Sequence, residues 1–507
     1  MSLDRSVLSR RNLLAAMLAS AAGPVLANAP SRSLLPPARP DGLEALTVPA
    51  RAGGGAGLAG LDDLLARSGV GGETALIALD AETGAIIEEH RADLRLPPAS
   101  TAKAVTAMYA LTTLGSEHRF VTRVEARGTI SGGTLTGDLI LRGGGDPVLQ
   151  TDDLARLANA LIERGLRRVE GRFLVDDGAL PEIRQIDSAQ PEQAGYNPAV
   201  SGINLNFNRV NFVWEVQNGR AALSMDARSD REIPRVSVID ISAVTRDLPV
   251  YTHDLRSDSE HWTVAASALG SSGSRWLPVR RPALYAGDVF RALMQARGCR
   301  LPAPRSGNPG AGEVLAEHHS ETLPGVLRGM LRYSTNLTAE CVGLSASISA
   351  GARMRTLEPS AERMNAWVAQ RHGAQGLGFI DHSGLGDGSR VSARAMAQYM
   401  LSARREGILP DLLRDHPMRD PQGRELRQHP VSVQAKTGTL NFVSALTGYA
   451  HRQGGRPIVF SIVSADMTRR RAIRDDDRER PAGTRTFTAR ARTLQQDLIE
   501  RWSMLQS

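Results

Sequence analysis

The stretch Pro97-Pro98-Ala99-Ser100-Thr101-Ala102-Lys103-Ala104-Val105 decides how this chain is read. The two prolines punctuate the backbone, and Ser100 to Leu114 then reads as a helix. Ala102, Ala104, Val105, Ala107, Met108, Ala110 and Leu111 make that helix apolar on most sides, which predicts a buried, central element. Lys103 follows Ser100 by three residues in the first turn, so the two side chains share a face and can hydrogen-bond. A serine hydroxyl needs a base to become a nucleophile. An amine desolvated beneath a helix N-terminus can be held partly neutral to serve as one. The same terminus offers backbone N–H groups to a developing oxyanion.

Lys103 is conspicuous because lysine is scarce. Of 61 basic residues only Lys103 and Lys436 are lysine, and the rest are arginine. A guanidinium stays protonated in proteins, whereas a buried ammonium can lose its proton and act as a base. Lys436 opens Lys436-Thr437-Gly438-Thr439 on what reads as a strand edge. The glycine there admits a substrate backbone, and the lysine can anchor a carboxylate. Between the two lies Ser334-Thr335-Asn336, flanked by helical stretches. Its hydroxyl could relay a proton and its amide could position a carbonyl. Alone, Ser-x-Asn is an ordinary capping sequence; its order between the other two motifs gives it meaning.

The whole chain bounds the answer. At 507 residues it can hold two or three domains, and with 41% hydrophobic and 23% charged residues its bulk is globular. The basic balance, +7 at pH 7, suits anionic partners, but the arginines are scattered and aromatics are 4%. No basic stripe or stacking platform for nucleic acid emerges. Residues 1–29, with Arg10-Arg11-Asn12-Leu13-Leu14, a short apolar run and Ala27-Asn28-Ala29, read as a signal peptide, and the twin arginine followed by Leu-Leu suggests the pathway that exports folded proteins. This implies a periplasmic protein with no stable membrane span after cleavage. Cys299 and Cys341 could pair there or stand as two separate buried thiols.

Residues 30–57, rich in Pro, Ala, Arg and Gly, read as a linker. A short helix (61–66) and strands at 74–80 and 85–89 precede the Ser100 helix. From about 119 to 281 the texture changes to short β-type runs with Gly, Asn and Asp turns. Helical patterns return at 285–296, 323–333, 361–371 and 393–404, then strands near 444–451 and 457–464. A last helix carries Leu494, Leu498, Trp502 and Leu505 on one face, to pack on a sheet. The expected fold class is α+β. One domain, 58–118 plus 282–507, is interrupted by a β-rich insert, 119–281.

Ser100-x-x-Lys103, Ser334-x-Asn336 and Lys436-Thr437-Gly438 together resemble the three signatures of penicillin-binding proteins and serine β-lactamases. From Ser100 to Ser334 is a gap of 234 residues. Class A β-lactamases and simple carboxypeptidases have a far shorter gap. A large insert directly after the nucleophile helix is similar to the DacB-type D-alanyl-D-alanine carboxypeptidase/endopeptidases. Gly137-Asp138-Leu139 with Gly145-Asp146-Pro147, Tyr196-Asn197-Pro198 and Asp381-His382-Ser383-Gly384-Leu385 agree in texture with that family.

The resemblance implies a penicillin-binding-protein/β-lactamase-like domain, an antiparallel sheet flanked by helices, cut by the insert. It implies cleavage of peptidoglycan stem peptides through an acyl-serine, and covalent inhibition by β-lactams. Ser100 would be the nucleophile, Lys103 the base, Ser334 the proton relay and Asn336 a carbonyl contact. Lys436, Thr437 and Gly438 would bind the substrate carboxylate, and the N–H groups of Ser100 and Thr439 would form the oxyanion hole. Neither metal nor cofactor is implied. This chain departs from the family at His382, where glycine is usual, and at Gly386-Asp387, where a basic residue can read the stem peptide.

Rival readings fit less well. There is no Gly-x-Ser-x-Gly elbow for a Ser-His-Asp hydrolase. His318-His319 lacks the spacing of a zinc peptidase. A serine β-lactamase, or a penicillin- or peptidoglycan-binding module with weak turnover, is the alternative that the motifs leave open.

Overall fold

The computed structural model describes residues 60–420 and 423–506. The expected signal peptide and the whole of the expected linker lie outside the described residues.

The centre is a six-stranded antiparallel sheet with strand order Arg414–Asp415, Val431–Leu440, Val443–Arg452, Ile458–Ala465, Glu73–Asp80 and Ile86–His90. The N-terminal strands therefore complete a sheet built mostly by the C-terminal third of the chain. The middle strands are apolar on both faces because both faces are covered. On one side, Ala75, Ile77, Tyr449, Val459 and Val463 share a core with the helices Ala102–Leu114, Leu323–Tyr333, Asn336–Ser349 and Ala393–Arg405. On the other, Leu76, Ala78, Leu446, Phe460 and Ile462 meet Leu494, Leu498, Ile499 and Trp502 of the helix Thr484–Leu505. The last helix thus packs on the sheet as expected, except that Leu505 is left 44% exposed at its end. No helix among the described residues is long and apolar enough to cross a membrane.

The central helix is buried on nearly every side, from Ala102 to Leu111, which its all-round apolar sequence dictates. It begins two residues later than expected, because Ala99–Thr101 forms a 3-10 turn first.

A second core gathers the segment after this helix. Its largest sheet runs Pro304–Ser306, Phe173–Asp176, Thr134–Arg142, Val121–Ser131 and Glu313–His319, and two three-stranded sheets accompany it. The insert is β-rich as read, but it also contains the amphipathic helix Thr151–Glu163, which the sequence reading passed over. The expected return to the first unit at 282 comes too early. In the helix Pro282–Ala296, Tyr285, Val289, Phe290 and Leu293 are buried in the second core, and Glu313–His319 pairs with Val121–Ser131. The chain rejoins the first core at Leu323. Cys299 and Cys341 are free buried thiols, one in each core.

Candidate active site

Ser100 sits in the 3-10 turn ahead of the central helix, directly after Ala99, whose φ of 48° is left-handed for a non-glycine residue. Such strain persists where the surroundings fix it. Here Gly384 is one of those surroundings: a Cβ at its position would lie 1.9 Å from the Ala99 carbonyl oxygen. Thr101 Oγ1 ties the turn down by donating to the Pro98 carbonyl at 2.7 Å.

Lys103, fully buried in the first helical turn, lies among three oxygens. Its Nζ is 3.0 Å from Ser100 Oγ, 2.7 Å from Asn336 Oδ1 and 2.7 Å from the Ser383 carbonyl oxygen. The latter two accept only, so they fix where the amine's N–H groups point. Asn336 is held in turn from the insert, its Nδ2 donating to the Tyr196 carbonyl at 2.9 Å. Tyr196-Asn197-Pro198 therefore reaches the site through its backbone.

Lys436 is 1% exposed and donates to Ser334 Oγ at 3.0 Å and to its neighbour's carbonyl, Thr437 O, at 2.7 Å. Ser334 caps the helix Leu323–Tyr333 at φ 59°, a left-handed turn that sets it between two helices. The strand carrying Lys436, Thr437, Gly438 and Thr439 passes close to the Ser100 turn. A Cβ on Gly438 would stand 2.7 Å from the Pro98 oxygen and 3.1 Å from the Ser100 nitrogen. Among the described residues no strand pairs with its outer side beyond Gln434–Ala435, so Lys436 to Thr439 lie along the edge of the sheet. All eight residues singled out in the sequence thus fall on elements that converge around Ser100: the central helix, the Ser334 turn with its following helix, and this strand.

Three contributors carry no side-chain signature. The Tyr196 and Ser383 carbonyls belong to the backbone. Glu340 lies one turn beyond Asn336, fully buried, and accepts the backbone N–H groups of His382 at 3.0 Å and Ser383 at 2.9 Å. Burial, reinforced by Asp381, pushes its carboxyl up to about 8, against the opposing effect of those bonds and of Lys103. Asp381 is also raised by burial, and accepts the N–H groups of Gly384 and Gly386 at 2.6 Å each. The unusual His382 is a buried neutral ring, pushed down to about 3 by desolvation. It bonds Ser360 Oγ at 2.7 Å and occupies space left by Gly343. Asp387 is engaged by Arg470 at 2.8 Å. Among the described residues no cluster of three His, Cys, Asp or Glu is placed to hold a metal.

The model of the D-Ala-D-Ala carboxypeptidase 3 (S13) family matches residues 58–481. A D-alanyl-D-alanine carboxypeptidase of Actinomadura sp. (strain R39) is 27% identical over 444 residues, covering 78% of each chain. The D-alanyl-D-alanine carboxypeptidase DacB of Haemophilus influenzae is 22% identical over 431 residues, 79% of this chain and 87% of that one. The crystal structure of penicillin-binding protein 4 (dacB) from Haemophilus influenzae superposes with a TM-score of 0.64 at 20% identity, covering 78% of this chain and 90% of that one. Its complex with a β-lactam gives 0.65 at 20% identity, covering 80% and 92%. That likeness shows the fold: the α+β penicillin-binding-protein architecture with an extra β domain. With the three motifs meeting around Ser100 and the family model spanning most of the sequence, this chain belongs to the D-Ala-D-Ala carboxypeptidase 3 (S13) family, as a DacB-type serine peptidase.

Proposed function

We propose that the protein is an exported D-Ala-D-Ala carboxypeptidase and/or endopeptidase that acts on peptidoglycan stem peptides through an acyl-enzyme on Ser100. The observation that carries this reading is the trio of oxygens around Lys103 Nζ. In its neutral form the amine has two N–H groups and one lone pair. Asn336 Oδ1 and the Ser383 carbonyl can only accept, so they take the two N–H groups, and the lone pair faces the Ser100 hydroxyl at 3.0 Å. That is the geometry a general base needs.

Lys103 then takes the Ser100 proton as Oγ attacks the carbonyl carbon of the scissile amide. The oxygen of the tetrahedral intermediate lies between the N–H groups of Ser100 and Thr439. Ser334, bonded to Lys436, gives its proton to the leaving amine and regains one from the Lys103 ammonium, so D-alanine or a cross-linked peptide departs and Lys103 is neutral again. Water, activated the same way, hydrolyses the ester. Lys436 and Thr437 bind the substrate carboxylate, and the bare Gly438 lets its backbone approach. β-Lactams acylate Ser100 by the same route. The family match and the names of the curated relatives support the substrate class. The Arg10-Arg11 leader supports export to the periplasm.

A fluorescent penicillin should label the mature protein, and Ser100→Ala should abolish labelling; labelling that survives this substitution would refute the assignment. Release of D-alanine from a pentapeptide separates an active peptidase from a binding module with weak turnover. Rapid release of hydrolysed penicillin would instead mark a β-lactamase. Product analysis of digested peptidoglycan tells carboxypeptidase from endopeptidase, which differ only in the leaving group.

A further inference from the structure

Glu340 has no part in the mechanism above, yet it is fully buried beside the residues that do. It stands four positions after Asn336 on the helix Asn336–Ser349, so both residues face the same way. Asn336 reaches Lys103 directly; Glu340 reaches it through one backbone unit. Its two oxygens accept the N–H groups of His382 and Ser383, and the carbonyl of Ser383 accepts from Lys103 Nζ. The rest of the loop is as firmly held. Asp381 takes the N–H groups of Gly384 and Gly386, Thr106 Oγ1 donates to the His382 carbonyl at 2.6 Å, and the His382 ring stacks on Tyr109 with planes 6° apart. A buried carboxyl group bonded to two backbone N–H groups is costly to place, and a hydrophobic side chain would fill the same volume without that cost.

We propose that Glu340 is a positioning residue for the acylation reaction. It aims the Ser383 carbonyl at Lys103 by holding the Ser383 and His382 N–H groups. The charged and titratable groups that face this pair are Asp381 and the neutral His382, with Asp187 of the insert acting on Asp381. The inference rests on Lys103 being the base.

The test uses the full mature chain. Wild type, Glu340→Gln and Glu340→Asp are compared for the second-order rate of labelling by a fluorescent penicillin from pH 5 to 10, melting temperature, and amide hydrogen exchange over residues 381–389. Glu340→Gln replaces one accepting oxygen by an NH2 donor, which faces a backbone N–H and cannot accept from it. Its labelling should fall at least tenfold at neutral pH, and exchange in the loop should rise. The wild-type profile should bend near pH 8, where the Glu340 carboxyl ionises, and the profile of Glu340→Gln should lack that bend. Glu340→Asp keeps a titrating carboxyl but draws the oxygens back. It should label slowly and keep the bend. Folded variants with wild-type rate, pH profile and exchange would overturn the proposal. Loss of fold in both variants would also overturn it, by making Glu340 a core residue only. Absence of labelling in wild type itself would refute the acyl-serine reading instead, while exchange would still report on the loop.

Discussion

At the scale of single residues, the two lysines divide the chemistry by what surrounds them. In the proposed mechanism Lys103, bonded to two acceptors and one hydroxyl, gives up and regains a proton. Lys436, bonded to Ser334 and its neighbouring carbonyl, serves there through its charge. The distinction predicts opposite tolerance to arginine. Lys103→Arg keeps a cation but cannot deprotonate. General-base catalysis is typically worth about a hundredfold to ten-thousandfold, and the labelling rate of Lys103→Arg should fall by that much. A folded Lys103→Arg that labels within tenfold of wild type would exclude proton abstraction by this side chain. The lysines were legible in the sequence because every other basic residue of the 61 is arginine. Glu340 was not, since a single glutamate inside a helix pattern looks like any other until the loop it bonds is in place. Nor could the carbonyls of Tyr196 and Ser383 be read, because every residue has one.

At the scale of elements, the site depends on close backbone approaches. The strand Val431–Leu440 passes the Ser100 turn at a distance that only Gly438 allows, with the Pro98 oxygen 2.7 Å from its would-be Cβ. Gly438→Ala should push the strand outward by a fraction of an ångström and move Lys436 to Thr439 with it. Displacements of about 1 Å cost about a hundredfold in rate. Labelling should drop by that order while the melting temperature changes little, because the sheet keeps its other bonds. An unchanged rate would mean that the strand edge does not need this approach.

A different segment, Gly145-Asp146-Pro147, joins the two cores. Asp146 is 1% exposed, accepts the Val148 N–H at 2.9 Å, and has His318 Nε2 3.7 Å from its other oxygen. Two charges at that distance would form an ion pair, but burial drives both toward neutrality, raising Asp146 to about 7 and lowering His318. A carboxyl raised in the folded state stabilises it fully below the unfolded value of 3.8, and that contribution fades as pH rises through about 7. The amount at stake is on the order of 4 kcal/mol. The melting temperature of Asp146→Asn relative to wild type should therefore climb steadily from pH 4 to pH 8. A difference that stays constant over that range would show Asp146 charged throughout.

At the scale of the whole molecule, the sequence told the order of the pieces better than their seams. The Ser100 helix, the catalytic-sheet strands and the 234-residue gap were legible because periodicity and motif order are local facts. The seam at 282 was misread because an amphipathic helix declares that it has an apolar face, not which core will receive it. Tyr285, Val289 and Phe290 turned out to face the insert. How the insert touches the site was equally hidden, because the contact runs through backbone. Arg280, 2% exposed, donates to the carbonyls of Arg184, Glu192 and Asn197, gathering the loop whose Tyr196 carbonyl holds the Asn336 amide. Asn197 reinforces the same loop, exchanging two bonds with the backbone of Asp187. From the other unit, Arg478 donates to the Ala189 carbonyl, and Glu479 accepts from Gln193 and Arg275. The two units are thus clasped at the edge of the site, and the insert fixes one of the two acceptors that orient Lys103. Removing Arg280 leaves three carbonyls without their donor, a cost of about 3 kcal/mol. If the clasp matters only for stability, Arg280→Ala should lower the melting temperature and leave labelling by penicillin unchanged well below it. Because the loop instead bears on Asn336 and through it on Lys103, labelling at such temperatures should also fall, by about tenfold, and tightening the temperature or adding stabilising osmolyte should not restore it.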